Sequence, residues 1–420
     1  MKVAVVSKSD RSGGGASRVA EDLAAWLNEA GHLADHFVAF HCNEPLSFQQ
    51  NLYGGGRRIK LCKKIHQKTN ELGFYELFPA EYWINLNWVI NNYDIVHFHD
   101  LYSAISPLTL ALTARRKPTF FTVHDCSAFT GYCLYPMGCD KFTTNCHQCP
   151  QLPTGKNQKP IPDRTRQVQS IKRWVADKFP IHYIFPSNWM LSEAHKSLKF
   201  NTSPLVIPYG IDLKPFPTEK KEDVKISLGI PENRPVVAIS AHVLDDPRKG
   251  VKFAIAALQS VRDLSPIVIS VGICNTELKQ ALEGLEVKEM GYIKDPQLLA
   301  QVYSAADIML FCTLADNLPL TVLEAMAAST PVVSFATGGV PEMIQSGSNG
   351  VLVEPANQQA LNQALRQALL SPNLREMGQQ ARKDVENNFS KTAFLERHLK
   401  IYQNLPLSDD IKQSKQLFNV

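Results

Sequence analysis

The chain has 420 residues, 44% of them hydrophobic and 20% charged, as in ordinary globular proteins, which excludes a disordered or collagen-like chain. A net charge of +4 is too small for a dedicated nucleic-acid binder, so we expect no nucleic-acid partner. No apolar run reaches the ~20 residues of a membrane span. The apolar stretch at the start of the sequence is too short for a signal peptide. We therefore expect a cytoplasmic protein of two or three domains.

The first half of the chain alternates strand-like and helical segments. An apolar run at 3–6 is followed by a glycine loop at 13–15, and apolar residues then recur at helical spacing up to Gly31. Further strand-like runs lie at 36–40, 95–99, 120–124 and 181–185. This alternation is typical of a parallel sheet covered by helices.

The second half repeats this alternation after a proline-rich, charged stretch at 201–235. Its predicted strands are 236–240, 267–271, 289–293, 308–312, 332–335 and 350–353, and its predicted helices include 251–261, 298–306 and 320–328. The pattern predicts an α/β fold with two Rossmann-like, doubly wound domains at 1–200 and 201–390. We expect the segment 391–420 to be a helix that packs back on the first domain.

Two loops carry residues that suit an anionic or sugar ligand. Gly14 and Gly15 lie where a strand gives way to a helix, but the dinucleotide fingerprint fails at Arg18. Two interpretations of this glycine loop therefore remain open, a ligand-binding loop and a tight structural turn. Arg248 and Lys249 stand before a predicted helix, where acids are usual, which favours a phosphate site over a solvated basic turn.

Two carboxylates follow the predicted strand 308–312. Asp316 lies in a loop, and Glu324 lies eight positions later in an apolar helical stretch. Because a lone buried carboxylate is costly, we expect Glu324 to face a ligand or a partner. A second glycine turn, with Gly338 and Gly339, opens the next helical segment.

These segments resemble the donor-binding domain of the retaining glycosyltransferases of family 4, which have the GT-B fold. The resemblance rests on segments 248–250, 316–327, 331–333, 338–342 and 349–353, in matching order and spacing. It implies two Rossmann-like domains that face each other across a cleft. It also implies transfer of a hexose from a nucleotide diphosphate sugar to a glycan or lipid-linked acceptor, in surface or exopolysaccharide synthesis, with no catalytic cofactor.

The resemblance also implies roles for individual residues. Glu324 matches the glutamate that holds the nucleotide ribose, Asp316 the acid that contacts donor-sugar hydroxyls, and Lys249 the lysine that clamps the diphosphate. The remaining expected donor-binding residues are Gly14, Gly15, Arg248, Asn317, Leu318, Pro319, Leu320, Thr321, Gly338 and Gly339. The family usually has glutamate at position 316 and a Gly-Phe-Gly type run at 317–319, so these differences bear on the identity of the sugar.

The first half matches the family more loosely, through the glycine loop and the segment 123–125. His124 resembles the histidine that lies near the donor sugar in many members, and we expect it to be catalytic together with Asp316 and Glu324. We expect His97, His99 and Asp100 to line the acceptor side, with plain structural histidines as the alternative. Three other functions remain open: a sugar-nucleotide epimerase, a metal-dependent hydrolase built on His97 and His99, and a non-catalytic sugar-binding protein.

Five cysteines fall within an insertion at 126–150. Four of them, Cys133, Cys139, Cys146 and Cys149, follow the spacing Cys-x5-Cys-x6-Cys-x2-Cys. Four thiolates satisfy tetrahedral zinc, so the spacing predicts a structural zinc site, with unligated buried cysteines or a redox pair as alternatives.

A basic run at 57–64 is the best candidate for peripheral contact with the inner face of the plasma membrane, and a solvated helix face is the alternative reading.

Overall fold

A computed structural model describes residues 1–153, 160–216, 220–244, 246–273, 280 and 282–404 of the chain. It divides into two compact units, Met1–Ile207 together with the stretch from Leu395, and Pro208–Phe394. Among the described residues, no helix combines the length and the hydropathy that crossing a membrane requires.

The first unit contains a parallel sheet. Its strands are β1 (Lys2–Ser9), β2 (Leu33–Phe40), β3 (Gln49–Asn51), β4 (Ile95–Phe98), β5 (Thr119–Thr122), β6 (Ile181–Phe185) and β7 (Leu205–Val206). They lie in the order β3-β2-β1-β4-β5-β6-β7, and every neighbouring pair is parallel. The chain winds outward in both directions from β1, so the topological switch point lies between β1 and β4.

Helices cover this first sheet. They are α1 (Gly15–Glu29), α2 (Arg57–Glu71), α3 (Pro107–Ala114), α4 (Thr165–Lys178) and α5 (Asn188–His195), with a π-helical turn at Tyr82–Leu86. Residues 3–6 of β1 are fully buried because β1 is a central strand with helices on both faces. Ser106 and Ser187 cap α3 and α5 by accepting backbone N–H bonds, which explains why these helices begin where they do.

The second unit contains another parallel sheet. Its strands are β8 (Val236–Val243), β9 (Ile267–Ile273), β10 (Glu286–Gly291), β11 (Ile308–Phe311), β12 (Val332–Phe335) and β13 (Gly350–Val353). The order is β10-β9-β8-β11-β12-β13, with the switch point between β8 and β11. The described helices are α6 (Lys221–Ser227), α7 (Val251–Gln259), α8 (Pro296–Ala305), α9 (Leu320–Ala327), α10 (Gln358–Leu369) and α11 (Leu374–Asn388).

The last described helix is α12 (Lys391–Gln403), whose residues from Leu395 belong to the first unit. Tyr402 of α12 is bonded to His97 of β4, with 2.5 Å between the phenol oxygen and Nδ1. This contact fixes the end of the described chain against the first sheet. The predicted segment 391–420 continues beyond Asn404 into residues that lie outside the described part.

Hydrophobic periodicity predicted the principal strands and helices correctly. All eleven predicted strands correspond to strands of the structure, with ends displaced by a few residues at most. Two short strands, β3 and β7, were not predicted. They have only three and two residues, so neither contains enough alternation to stand out from a loop. The α/β fold class is confirmed.

Candidate functional site

The candidate residues of each unit gather at the carboxyl ends of the strands that flank its switch point. In the second unit, segment 248–250 follows β8 and segment 316–321 follows β11. In the first unit, the glycine loop follows β1, and His99 and Asp100 follow β4. Open parallel sheets bind ligands at this position because the loops diverge there and leave a crevice.

In the second unit, one buried carboxylate holds two cations. Asp316 is 8% exposed, and its Oδ1 lies 2.9 Å from Arg248 Nη1 while its Oδ2 lies 2.8 Å from Lys249 Nζ. Thr313 donates its hydroxyl to Oδ2 over 2.8 Å. Burial alone would raise the pKa of Asp316, but Lys249 and Arg248 outweigh it and lower the pKa below its ordinary value. Asp316 is therefore ionised at neutral pH.

Close backbone approaches hold the loops around Asp316 together. The amide of Leu314 donates to the carbonyl of Arg248 over 2.8 Å, which joins the loop after β11 to the loop after β8. Gly338 has φ +61°, and a Cβ there would lie 1.8 Å from the carbonyl oxygen of Asp316. Only glycine allows this approach, so the turn after β12 is fixed against the same carboxylate residue.

Helix N-termini without side-chain caps also surround this region. The N-cap residue of α7 is Gly250 and that of α9 is Pro319, and among the described residues no side chain caps either helix. By contrast, Asp295 and Asn357 cap α8 and α10, which follow strands farther from the switch point. Backbone N–H groups at uncapped helix N-termini suit an anion, because they point outward at the positive end of the helix dipole.

The predicted donor-binding residues lie around the same carboxyl ends. Glu324 is 4% exposed on α9, and Asn317 and Leu318 are 3% exposed in the loop that precedes it. Sequence reasoning missed two threonines here. Thr313 binds Asp316, and the buried hydroxyl of Thr337, next to Gly338, has no hydrogen-bond partner in the described structure. An isolated threonine gives no sequence signal for such a role. In the structure, a buried hydroxyl without a partner does indicate one.

The glycine loop of the first unit has a conformational requirement at one position. Gly14 is the N-cap residue of α1 and has φ +106° and ψ −170°, a conformation that residues with a Cβ rarely adopt. A Cβ at Gly14 would meet no atom within 4 Å, so the requirement is conformational and not steric. Gly15 is the first residue of α1, which also lacks a side-chain cap.

Three histidines form a buried line in the first unit. His97 and His99 lie with ring centroids 4.4 Å apart, and His99 Nδ1 lies 3.0 Å from His124 Nε2. Both ring nitrogens of His97 are bonded, one to Tyr402 and the other to Thr122. This arrangement favours the structural alternative for His97. His124 is 8% exposed and lies at the outer end of the line.

Acidic groups lie next to these histidines. Asp100 forms an ion pair with Lys8 over 3.1 Å, and Asp125 caps a 3-10 turn by accepting the N–H of Ser127 over 2.8 Å. Burial, together with the neighbouring Asp100 carboxylate, raises the pKa of Asp125 to about 6. The direct acceptor contacts expected of His99 and Asp100 stay predictions.

One group of potential metal ligands was not predicted from the sequence. Cys62, His66 and Glu81 are buried, and their ligand atoms all lie within 4.8 Å of one another. Within the described part of the chain no other three His, Cys, Asp or Glu ligand atoms meet that distance, so His97 and His99 are not grouped with a third ligand there. Glu81 binds His66 over 3.0 Å and also accepts the N–H of Ser106, so this group also works as a polar network within the core.

A cleft of about 520 Å³ opens in the second unit near Lys221, Arg375 and Arg382. It lies beside Asp307 and Pro331, which precede β11 and β12, and therefore at the amino ends of these strands. Because ligand loops of such sheets lie at the carboxyl ends, this cleft does not belong to the candidate site.

Comparison with known proteins identifies the class. Residues 234–371 match the family model "Glycosyl transferases group 1", and residues 13–215 match the model "Glycosyltransferase Family 4". The chain is 26% identical over 416 residues to WcaC of Escherichia coli K12, assigned as a glycosyl transferase of colanic acid biosynthesis, covering 93% of this chain and 97% of WcaC.

Solved structures agree in fold. A sucrose-phosphate synthase of Thermosynechococcus elongatus superposes with a TM-score of 0.72 at 19% identity, over 96% of this chain and 98% of that one. HepE of Anabaena, solved with UDP-glucose, gives a TM-score of 0.64 at 17% identity, over 96% of this chain and all of HepE. Fold and site thus define a GT-B glycosyltransferase. The two family-model matches and the full-length similarity to WcaC support a glycosyltransferase of family 4.

We expect Gly338→Ala to destabilise the second unit strongly, because a Cβ would collide with the carbonyl of Asp316. Gly347→Ala is the matched control, since Gly347 also has a positive φ of 85° but no atom within 4 Å of a Cβ. In chemical denaturation, Gly338→Ala should cost at least about 2 kcal/mol more than Gly347→Ala. Equal costs would show that the loop after β12 does not need its close approach to Asp316.

Four buried histidines stay neutral in the folded protein. Burial lowers the pKa of His36 and His124 to about 3, and burial also lowers the pKa of His97 and His99 well below its ordinary value. In the unfolded chain each ring binds a proton below about pH 6.5, so acid favours unfolding. Glu76 acts in the opposite direction, because burial raises its pKa to about 7 and the folded state binds the proton. The raised pKa of Asp125 acts like that of Glu76.

Burial also raises the pKa of Asp100, so three acids oppose the four histidines. The histidines outnumber them, and we expect stability to fall as the pH decreases from about 6.5 to 5. Each histidine contributes up to about 1.4 kcal/mol per pH unit, and the acids offset part of that sum. Thermal unfolding midpoints measured between pH 8 and pH 5 check this. His124→Asn, which removes one titrating ring, should give a shallower decline, and a midpoint that stays constant or rises on acidification would contradict the burial of neutral rings.

Proposed function

We propose that the protein transfers a hexose, with retention of anomeric configuration, from a nucleotide diphosphate sugar to a glycan or lipid-linked acceptor. The reaction belongs to the synthesis of a surface or extracellular polysaccharide, at the inner face of the plasma membrane. The observation that carries this proposal is the pair of cations, Arg248 and Lys249, that Asp316 holds at the switch point of the second sheet.

This cation pair suits a diphosphate leaving group. Asp316 pairs with both cations, and Asp246 also pairs with Arg248 over 3.3 Å, so the two cations lie beside the uncapped N-terminus of α7 with two carboxylates holding them in place. A departing nucleoside diphosphate gains negative charge in the transition state, and fixed cations and helix dipoles that are already in place stabilise it. Because Arg248 and Lys249 supply this charge, the proposed reaction uses no metal cofactor.

Lys249 and Glu324 have different parts in this proposal. Lys249 clamps the diphosphate, exchanging part of its contact with Asp316 for a phosphate oxygen. Glu324, which is buried on α9, accepts hydrogen bonds from the nucleotide ribose. In this proposal the buried hydroxyl of Thr337, which has no hydrogen-bond partner in the described part of the chain, bonds the donor on the side of the turn after β12. HepE, which shares the fold, was solved with UDP-glucose, and this supports a UDP-sugar as the first donor to test.

We expect Lys249→Ala and Glu324→Ala each to lower the rate of transfer by at least about tenfold while the protein still folds. Removing Lys249 leaves Asp316 paired with Arg248, so the fold keeps its buried ion pair. The matched control is Lys252→Ala, because Lys252 is an exposed lysine three residues farther along α7. Initial rates with a labelled donor, together with thermal unfolding of each variant, check this.

Near-wild-type turnover in both variants would overturn the site assignment. The donor is identified beforehand by thermal shift with UDP-, GDP- and ADP-sugars, because a ligand that binds the folded state raises the unfolding midpoint. A sugar nucleotide that is converted in the absence of acceptor would instead identify an epimerase. Retention is tested by NMR of the product, whose new linkage should keep the anomeric configuration of the donor.

Helix α2 supports the membrane part of the proposal. Arg57, Arg58, Lys60, Lys63 and Lys64 are exposed on this helix. Leu61 is 52% exposed among them, so the cationic face also carries an apolar side chain. The π-helical turn Tyr82–Leu86 packs against α2 and leaves Trp83 52% exposed. Cations attract anionic headgroups, and exposed leucine and tryptophan side chains suit the interface of a bilayer.

We expect the protein to sediment with vesicles that contain phosphatidylglycerol and to stay in solution with purely phosphatidylcholine vesicles. The triple variant Lys60→Glu, Lys63→Glu, Lys64→Glu should lose binding, since each lysine near an anionic surface is worth about 1 kcal/mol. The control reverses three exposed lysines elsewhere: Lys252→Glu, Lys294→Glu and Lys383→Glu. Wild-type protein that stays in solution with anionic vesicles at low salt would contradict the membrane contact.

A further inference from the structure

The cysteine-rich segment is a long connection with little regular structure. It follows β5 and His124, and between Thr122 and the start of α4 at Thr165 its described residues contain two 3-10 turns, Cys126–Ala128 and Lys141–Thr143. Connections of this length usually need an additional constraint, because their own backbone hydrogen bonds do not fix them.

Helix α4 holds one part of this segment. Gln169 donates to the carbonyl of Phe142 over 2.6 Å and accepts the amide of Cys146 over 2.8 Å. Lys172 donates to the carbonyls of Ser127 and Thr130 over 2.7 and 3.1 Å. These contacts fix the backbone near Cys126 and Cys146, but none of them reaches Cys133, Cys139 or Cys149.

The four cysteines of the predicted zinc motif are all free thiols of this one segment. Cys146 is buried, and Cys133, Cys139 and Cys149 are half-buried. No three of their sulfurs lie within 4.8 Å of one another, so a bound ion would have to draw them together.

Backbone conformation is unusual beside two of these cysteines. Met137 and Gly138, just before Cys139, have φ of +50° and +87°, and Gln148, just before Cys149, has φ +44°. Non-glycine residues in the left-handed region are uncommon and cost energy unless the surroundings enforce them. The amide of Gly131 also donates to the sulfur of Cys146 over 3.2 Å, which is the bond that a metal-bound thiolate accepts from its outer shell.

Positive charge is available near the cluster. Lys172 interacts electrostatically with Cys146 and Cys133, and Lys141 lies 3.3 Å from the carbonyl oxygens of His147 and Gln148. Zinc with four thiolates carries a net charge of about −2, and two nearby ammonium groups offset it.

We propose that Cys133, Cys139, Cys146 and Cys149 bind one structural zinc ion. Each thiol loses its proton to solvent, and four Zn–S bonds of about 2.3 Å form with no change of oxidation state. Tetrahedral geometry draws the sulfurs to about 3.8 Å from one another, so the loop contracts on binding. The metal then fixes the three cysteines that α4 does not reach, and with them the segment that directly follows His124.

The experiment measures zinc by mass spectrometry in the full-length protein purified with a reductant. We expect about one zinc per chain in the wild type and close to none in the double variant Cys139→Ser, Cys149→Ser. Cys42→Ser is the matched control, because Cys42 is an exposed free cysteine outside the cluster and should keep the metal. Replacement by Co²⁺ should give the absorption of a tetrahedral four-thiolate site in the wild type and not in the double variant.

Three results would overturn the proposal. If the protein contains less than about a third of an equivalent of zinc and all four thiols titrate freely, the cysteines bind no metal. A disulfide between Cys146 and Cys149 in mass spectra of the non-reduced protein indicates a redox pair. If zinc persists in the double variant but is lost in the variant His66→Gln, the metal is bound instead by the buried group of Cys62, His66 and Glu81. None of these readouts depends on transfer activity, so the proposal stands or fails separately from the proposed function.

Discussion

The ion pairs of Asp316 are the constraint on which the candidate site of the second unit depends. Arg248 and Lys249 are adjacent in sequence, and two cations held side by side repel each other unless an anion lies between them. Asp316 supplies that anion from the loop after the neighbouring strand, and Thr313 bonds the same carboxylate. One interaction therefore fixes the loops after β8 and β11 at the switch point, and the close approach of Gly338 adds the loop after β12.

The first unit depends on a different kind of interaction, between neutral buried groups. His97, His99 and His124 lie in a line that is hydrogen-bonded to Thr122 and Tyr402. Burial keeps these imidazoles uncharged at neutral pH, so the line is rigid but costly to protonate. Because Tyr402 belongs to α12, the end of the described chain helps to hold β4, the strand that leads to His99 and Asp100.

The two units share a principle of placement although their residues differ. Both sheets change winding direction once. In the second unit the helices after the two switch-point strands, α7 and α9, begin with glycine and proline N-caps, while α8 and α10 carry aspartate and asparagine caps. In the first unit α1 begins with Gly14 after β1, whereas α3 after β4 is capped by Ser106. A capping side chain would occupy the N–H groups that a ligand needs. In the second unit, therefore, the helices without a side-chain cap are the ones that begin at the candidate site.

The sequence by itself determined the strands, the principal helices and the positions of Arg248, Lys249, Asp316 and Glu324, because hydrophobic periodicity and order along the chain are local properties. It also indicated the family, since those residues recur at fixed spacing. Only the tertiary structure decided that one carboxylate is shared by both cations and that His97 is fully bonded in the interior. The unpartnered hydroxyl of Thr337 and the buried group around Cys62 likewise left no trace in the sequence. These features depend on contacts between residues far apart in the chain, and spacing along a sequence cannot specify which distant side chains meet.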